Sequence, residues 1–525
     1  MKSVPVLIVG GGPVGLAASF LLSRQGVRSL LVERHPGTAI HPKARGINAR
    51  TMEVFRQHGV EAAVRAAGLA PHHTGLIVWS RTLAGEEIER RVPWRASTQS
   101  ASVSPVRNCL CAQDDLEPVL RAHAEQQALG TLRFNTELDS FDQDDAGVMA
   151  TIADTRTGQR EEIRAHYLIA ADGAQSRVRR ALGVAMVGEE DVYDSVNILF
   201  NADLTPWTAH RPAALYFIEN PRMRATFLTI NAHDRWGFLV NTLKAYGYSA
   251  ADFTPERSAE LIRFAAGVPD LPVKVLGVAP WTASAHVAEQ YRHGRVFLAG
   301  DAAHEMPPTG GFGLNTGVQD VHNLAWKLAL VLQGRADDRL LDSYHDERQP
   351  LGRRITEQSL TNAISMGRLA TDNKAAGARP EYLNEQGMIF GASYASGAVV
   401  PDGTPPAPVA NPVTDYLPSA RPGGRAPHVW LDKNGGEKVS TIDLVGNGFV
   451  LLAGAKGQAW SEALTGKLPI KPHAIADKAF AEAYAIEDGG AVLVRPDGYV
   501  AWRSAAMASD PKAALAGAAL QMCGA

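Results

Sequence analysis

The residues with the plainest chemical purpose open the chain. Gly10-x-Gly12-x-x-Gly15 follows the apolar run Val4–Val9 and leads into a helical run from Pro13, and an acid, Glu33, stands eighteen residues past Gly15. Each position has its reason. Gly10 permits a tight turn, Gly12 lets a diphosphate approach backbone amides at a helix N-terminus, and Gly15 lets that helix pack on a sheet. Glu33, with Arg34 beside it and Pro13 at the head of the helix, completes a cradle for an adenine dinucleotide whose ribose hydroxyls the carboxylate accepts.

A second glycine-rich stretch narrows the choice of dinucleotide. Gly300-Asp301-Ala302-Ala303-His304 ends the strand-like run Arg295–Ala299 and continues into Pro307-Pro308-Thr309-Gly310-Gly311-Phe312-Gly313-Leu314-Asn315. A nicotinamide carrier needs no such element, whereas a flavin does: Asp301 can accept from ribityl hydroxyls, and the amides at Leu314 and Asn315, just after Gly313, can hold the pyrimidine edge. The positive end of that helix favours an anionic reduced flavin. Pro307 and Pro308, with fixed φ, make a rigid wall against the isoalloxazine. FAD is therefore the expected cofactor.

Between these two lies a third segment, Tyr167-Leu168-Ile169-Ala170-Ala171-Asp172-Gly173-Ala174-Gln175-Ser176-Arg177-Val178-Arg179. Together the three resemble the class A flavoprotein aromatic hydroxylases, the family of para-hydroxybenzoate hydroxylase and phenol hydroxylase. The resemblance spans residues 4–350, and a looser similarity to the hydroxylases of aromatic polyketide biosynthesis, the group that includes aklavinone 11-hydroxylase, runs through Asp252-Phe253-Thr254-Pro255 to the C-terminus. It implies that Asp172 and Gly173 help bind FAD and the reducing nucleotide, that Gln113 touches FAD, and that Arg45 or Lys43 lies near the flavin or its phosphates. Relatives often carry arginine where Lys43 stands. It further implies that NADPH or NADH visits a groove bordered by Asp172, Arg177 and Arg179, and that O2 reacts at the flavin C4a to give a hydroperoxide that hydroxylates a phenolic or polycyclic ring.

The elements that must position these residues read as an α/β fold: a Rossmann-like FAD domain, an inserted β-sheet substrate domain and a C-terminal thioredoxin-like domain. A strand at Val4–Val9, a helix at Pro13–Gln25 and a strand at Ser29–Val32 give the βαβ opening. Short β-rich runs at Val196–Phe200, Ala214–Ile218, Ala225–Ile230, Trp236–Val240 and Val273–Val278 form the inserted sheet. Apolar spacing of three and four from Leu314 to Leu332 marks a long amphipathic helix. The expected segments are 1–184 with 282–395 for the FAD domain, 185–281 for the sheet, 396–427 for a Pro/Gly/Ala-rich linker, and 428–525 for the last domain. That last unit resembles the thioredoxin-like unit of phenol hydroxylase relatives but lacks Cys-x-x-Cys, so a structural role or a subunit contact is expected of it.

Bulk properties exclude other classes. With 525 residues, a formal charge of −3 and no basic block, the chain argues against nucleic acid and against an electrostatic membrane anchor. The cysteines, Cys109, Cys111 and Cys523, make no disulfide framework, which points to a reducing cytoplasm. His72-His73 without further ligands reads as a loop, and no metal site is expected. The expected state is a monomer or homodimer taking a small aromatic substrate, O2 and NAD(P)H. Candidates for the substrate cavity are Tyr216 and Trp236 on sheet strands, with His304 beside the flavin turn, each with a structural alternative in the core or the turn. Baeyer–Villiger insertion, oxidative loss of a ring substituent, and a catalytically silent flavin-dependent binding protein stand as alternatives.

Overall fold

The computed structural model describes residues 2–93, 102–366, 380–432, 436–464 and 468–523; the remaining positions, which fall within the expected segments 1–184, 282–395 and 428–525, lie outside the described residues. At its centre is a parallel sheet. Lys2–Val9 pairs with Ser29–Glu33 on one side and Arg160–Ala170 on the other, followed by Gly130–Phe134 and Val296–Leu298 at the flanks. Val6, Leu7, Ile8 and Leu31 are fully buried, as befits strands covered on both faces. The parallel arrangement brings the carboxyl ends of four strands, Val9, Glu33, Ala170 and Leu298, to one edge, where an open α/β sheet binds its ligand.

Two helices close over that edge. Pro13–Arg24 starts with proline at its first turn, and Gly313–Leu332 packs against it. Their approach is close enough that a Cβ on Gly317 would lie 2.6 Å from Val14 Cγ2 and 2.9 Å from Gly300 Cα.

The second sheet is the inserted module. In order it runs His304–Glu305, Lys274–Ala288, Met186–Asn201, Arg235–Asn241, Met223–Thr229, Leu215–Asn220, Ile77–Ser80 and Glu87–Arg91. It therefore draws strands from both sides of the expected 185–281 segment, because the edge strands that complete it come from flanking chain. Side-chain alternation splits it into two faces. Tyr216, Phe227, Phe238 and Ile198 stand in one row and pack with Leu261, Ile262 and Ala265 of the helix Pro255–Ala266. The opposite face looks toward the FAD domain.

The C-terminal unit has Phe449–Ala453 parallel to Ile470–Ala474 and antiparallel to Ala491–Val494, which pairs with Val500–Ser504. Helices Gln458–Glu462, Lys478–Tyr484 and Pro511–Cys523 accompany this thioredoxin-like sheet. The expected linker 396–427 is not a free tether. It lacks helix and carries only isolated bridges, yet Arg425 is fully buried on Glu53, with its guanidinium also donating to Tyr416 OH at 3.1 Å. Proline and glycine there suppress regular structure without freeing the chain.

Candidate functional site

The three glycine turns meet at the carboxyl edge of the parallel sheet. Gly10 has φ +109°, and a Cβ on it would collide with the carbonyl of Ala171 in the second turn. A Cβ on Gly15 would strike the carbonyl of Gly10. Gly12 differs: its φ of −75° and ψ of −174° suit any residue, and no described atom lies within 4 Å of the position a Cβ would take. Gly10 and Gly15 are thus required by the protein's own packing, whereas Gly12 faces open space at a helix start, where a diphosphate would sit. Glu33 leans over this turn, accepting from Gly11 N at 2.6 Å and His35 N at 2.8 Å, with Arg34 exposed beside it.

Asp301 stands in the turn Gly300–Ala302. Its side chain is open to solvent, while burial raises its carboxyl above the ordinary range. The turn that presents it is braced from behind by buried Asp320, which accepts from Gly300 N at 3.1 Å, His304 Nε2 at 2.8 Å and Arg348 Nε at 2.8 Å. Burial alone would raise Asp320; Arg348 and His304 outweigh it and hold the carboxyl below its usual value. His304, wholly buried, is accordingly a structural hydrogen-bonder. Arg179 ties the second and third turns together, donating to Ala302 O at 3.0 Å and Ala174 O at 2.9 Å. It is buried, so it does not border a nucleotide groove as expected; exposed Arg177 pairs with Glu137 at 3.0 Å. Asp172 caps the short helix after it through Oδ2, from Arg177 N at 2.9 Å and Val178 N at 3.2 Å, while its Oδ1 is sealed without a partner. Gly173, at φ +79°, has no described atom near its Cβ position.

The helix Gly313–Leu332 begins without a side-chain cap among the described residues. The Asn315 side chain is spent elsewhere: Oδ1 accepts from Asn48 N at 2.9 Å, and Nδ2 donates to Gly46 O at 2.8 Å and Gly311 O at 2.6 Å. Asn315 therefore straps the Gly46–Asn48 segment alongside the helix start. Pro307 is buried, its carbonyl accepting from Ser359 Oγ at 2.5 Å, and Pro308 is exposed. The loop is thus pinned to the helix Asp342–Ser365 with one proline turned outward.

Other expectations are corrected. Arg45 does not point to a phosphate site: its guanidinium donates to Thr229 O at 2.8 Å and Ala214 O at 2.7 Å, bolting the FAD domain to the inserted sheet. Exposed Lys43, by contrast, is close enough to Asp301 to draw its carboxyl downward. Gln113 Nε2 donates to Glu117 at 2.6 Å. Tyr216 and Trp236 do not line a cavity. Both lie on the helix-facing side of the sheet, where Tyr216 OH donates to Arg211 O at 2.9 Å and accepts from Ala213 N at 3.0 Å, and burial pushes its hydroxyl up to about 12. Strand alternation was legible, but not which face met the FAD domain.

That other face carries Leu215, Phe217, Leu228, Leu239 and Asn197, of which all but Phe217 are half-buried. Phe217 stacks on Trp79 with ring centroids 5.1 Å apart. Asn197 Nδ2 reaches across to Pro42 O at 3.0 Å, and the Gly277 Cβ position lies 3.2 Å from His41. The result is an apolar wall set opposite the loop that bears Lys43 and Gly46, partly uncovered at its centre.

Comparison with known proteins agrees with this geometry. Residues 3–359 match the FAD binding domain family, and residues 419–525 match the aromatic-ring hydroxylase C-terminal family. The chain is 43% identical to the tetracenomycin B2 monooxygenase-dioxygenase of Streptomyces olivaceus over 98% of this chain and 97% of that one. It is 42% identical to a 4-methyl-5-nitrocatechol 5-monooxygenase from a Burkholderia species over 98% of this chain and 96% of the relative. Among solved structures, aklavinone-11 hydroxylase in ternary complex with FAD and aklavinone superposes with a TM-score of 0.88 at 36% identity, each chain covered fully.

Proposed function

The chain belongs to the FAD-dependent aromatic-ring hydroxylases, and from that premise we propose that it hydroxylates a polycyclic phenol or quinone of the aromatic polyketide kind in the chamber between the FAD domain and the inserted sheet. It is an FAD-dependent aromatic monooxygenase with NAD(P)H as co-substrate. FAD fits the residues present on three observations: the open cradle over Gly12, the exposed carboxyl of Asp301, and the start of Gly313–Leu332, uncapped among the described residues.

When bound, FAD supplies reduction by NAD(P)H and activation of O2. The chain's own part is positioning. Amides of the Gly10–Gly15 turn hold the diphosphate, Glu33 with Arg34 serves the adenosine end, and Asp172 with Gly173 lies where the second turn meets the cradle. Asp301 accepts from the ribityl chain, and the amides of Leu314 and Asn315, at the positive end of a helix, stabilise negative charge on the ring edge. Pro308 offers a fixed backbone wall, and Lys43, rather than Arg45, supplies the cation. Tyr216, sealed in the core with a hydroxyl pKa of about 12, takes no proton from the substrate.

The observation that supports a polycyclic substrate is the width of the half-buried wall. It crosses five neighbouring strands from Leu215 through Leu228, Leu239 and Asn197 to Ala279, about 19 Å at the usual strand spacing. A single-ring substrate is the second reading, favoured by the nitrocatechol relative. The test is NAD(P)H consumption with 1,8-dihydroxyanthraquinone and with catechol under 18O2. The proposal expects stimulated turnover and one 18O atom in the anthraquinone product; stimulation by catechol alone selects the single-ring reading, and no stimulation by either contradicts both.

A further inference from the structure

We infer that the carboxamide of Asn241 reads an oxygen acceptor on the substrate, a ring carbonyl, and thereby sets which ring of a polycyclic compound is presented to the flavin; the inference rests on the chamber reading above. Asn241 ends the strand Arg235–Asn241 and pairs with Ser195. Alternation puts it on the same face as Leu239 and Arg235, and Arg235 faces the FAD domain through its ion pairs with Asp114 and Asp115. It stands about 20 Å along the strand from that anchor, so it addresses a part of the substrate well removed from it.

Its two polar ends are treated differently. Oδ1 lies 3.0 Å from Ser195 Oγ, whose single proton is shared between it and Val240 O at 2.9 Å. Nδ2 has no hydrogen-bond partner among the described residues, although the residue is only 4% exposed, and it is not one of the polar atoms sealed from solvent. A nearly buried amide whose N–H groups reach accessible space but find no acceptor carries a desolvation cost that a bound carbonyl would relieve. Asn197, on the same wall, provides the contrast, since its Nδ2 is already committed to Pro42 O at 3.0 Å. The next residue, Thr242, holds a left-handed backbone at φ 57° and ψ 49°, unusual for a β-branched side chain, and is anchored by its amide to Asp194 O at 2.8 Å. Strain of this kind persists where surrounding structure over-determines it, as at ligand sites.

The test titrates the flavin absorbance of the holoenzyme with 1,8-dihydroxyanthraquinone and with 1,8-dihydroxyanthracene, which lacks the carbonyls. The wild-type protein is expected to bind the quinone about tenfold more tightly, the effect of one ordinary hydrogen bond. Asn241→Asp, which keeps the shape and removes the N–H donors, and Asn241→Leu are both expected to bring that ratio close to one, with FAD affinity unchanged. A ratio that survives in Asn241→Asp, or a wild-type preference for the anthracene, overturns the inference while leaving the chamber reading intact. Failure of the wild-type protein to bind either compound overturns both.

Discussion

Two regions of this molecule gather buried polar groups, and they dispose of them in opposite ways. In the seam between the helix Gly313–Leu332 and the C-terminal unit, charges satisfy one another. Glu347 accepts from Arg495 at 2.6 and 2.9 Å, Lys327 at 2.9 Å, Asn323 at 2.6 Å and Ser396 at 2.6 Å, while Arg495 also meets Asp497 at 2.5 Å. In the cleft at the other end of the same helix the chain supplies fewer partners: Asp301 is exposed, and the helix start has no side-chain cap among the described residues. A buried polar network is stable when complete and costly when partial, and at the carboxyl edge of the sheet a bound ligand would supply partners that the chain does not. The seam teaches what structural polarity looks like, and the cleft is recognised by its departure from it.

The sharpest way to break this comparison is to open the seam. Glu347→Ala strands Lys327 and Arg495 in the interior and is expected to destabilise the protein by about 3–5 kcal/mol, read as a fall in denaturation midpoint. Burial alone would raise the Glu347 carboxyl, but Arg495 and Lys327 hold it far below the ordinary range. A depressed carboxylate contributes stability that is present above its unfolded pKa and lost only as pH falls through the folded value. Glu347's contribution is therefore fully present above about pH 4.3, its unfolded value, and is the part removed by the substitution.

Next come two glycines two positions apart in the chain but opposite in role. Gly10→Ala puts a Cβ against Ala171 O at a positive φ and is expected to cost at least about 2 kcal/mol with or without cofactor, read by thermal melts of both forms. Gly12→Val, on ordinary backbone facing open space, is expected to leave the apoprotein's melting temperature unchanged and to abolish FAD retention, read from the visible spectrum of the purified protein.

A smaller effect is expected at Asp301. Asp301→Asn weakens FAD binding about tenfold by removing one charge-assisted hydrogen bond, measured by titration. Because burial raises this carboxyl, the stability it contributes is present below its unfolded pKa and lost as pH rises through the folded value. The asparagine apoprotein is therefore expected to melt at or above the wild-type temperature at neutral pH. The smallest effect belongs to Tyr216→Phe, which gives up two internal hydrogen bonds for about 1 kcal/mol of stability and leaves the pH profile of turnover unaltered.

Much of this was legible beforehand because glycine patterns and parallel-strand runs are local signals. The three turns, the long helix, the inserted sheet and a small C-terminal α/β unit all follow from spacing within short windows, the thioredoxin-like character of that unit came from the family resemblance, and the FAD assignment follows from turns that the topology then joined. What escaped was set by long-range packing. Asp320 and Arg348, which brace the Asp301 turn, lie on two helices and carry no motif of their own. Arg45 and Lys43 sit two residues apart, and only the position of the inserted sheet decides that one bolts domains and the other faces the cleft. Tyr216 and Trp236 alternate with apolar neighbours, but alternation does not say which face meets the helix Pro255–Ala266. Segment 396–427 reads as a tether by composition, yet Arg425 anchors it through Glu53, more than 370 positions earlier in the chain.

The most direct measurement is a crystal structure of the protein with FAD. The account expects the diphosphate over Gly12, the ribityl chain within hydrogen-bond distance of Asp301, and the pyrimidine edge on the amides of Leu314 and Asn315. A flavin seated elsewhere, with Asp301 still facing solvent and the helix start unengaged, would contradict it.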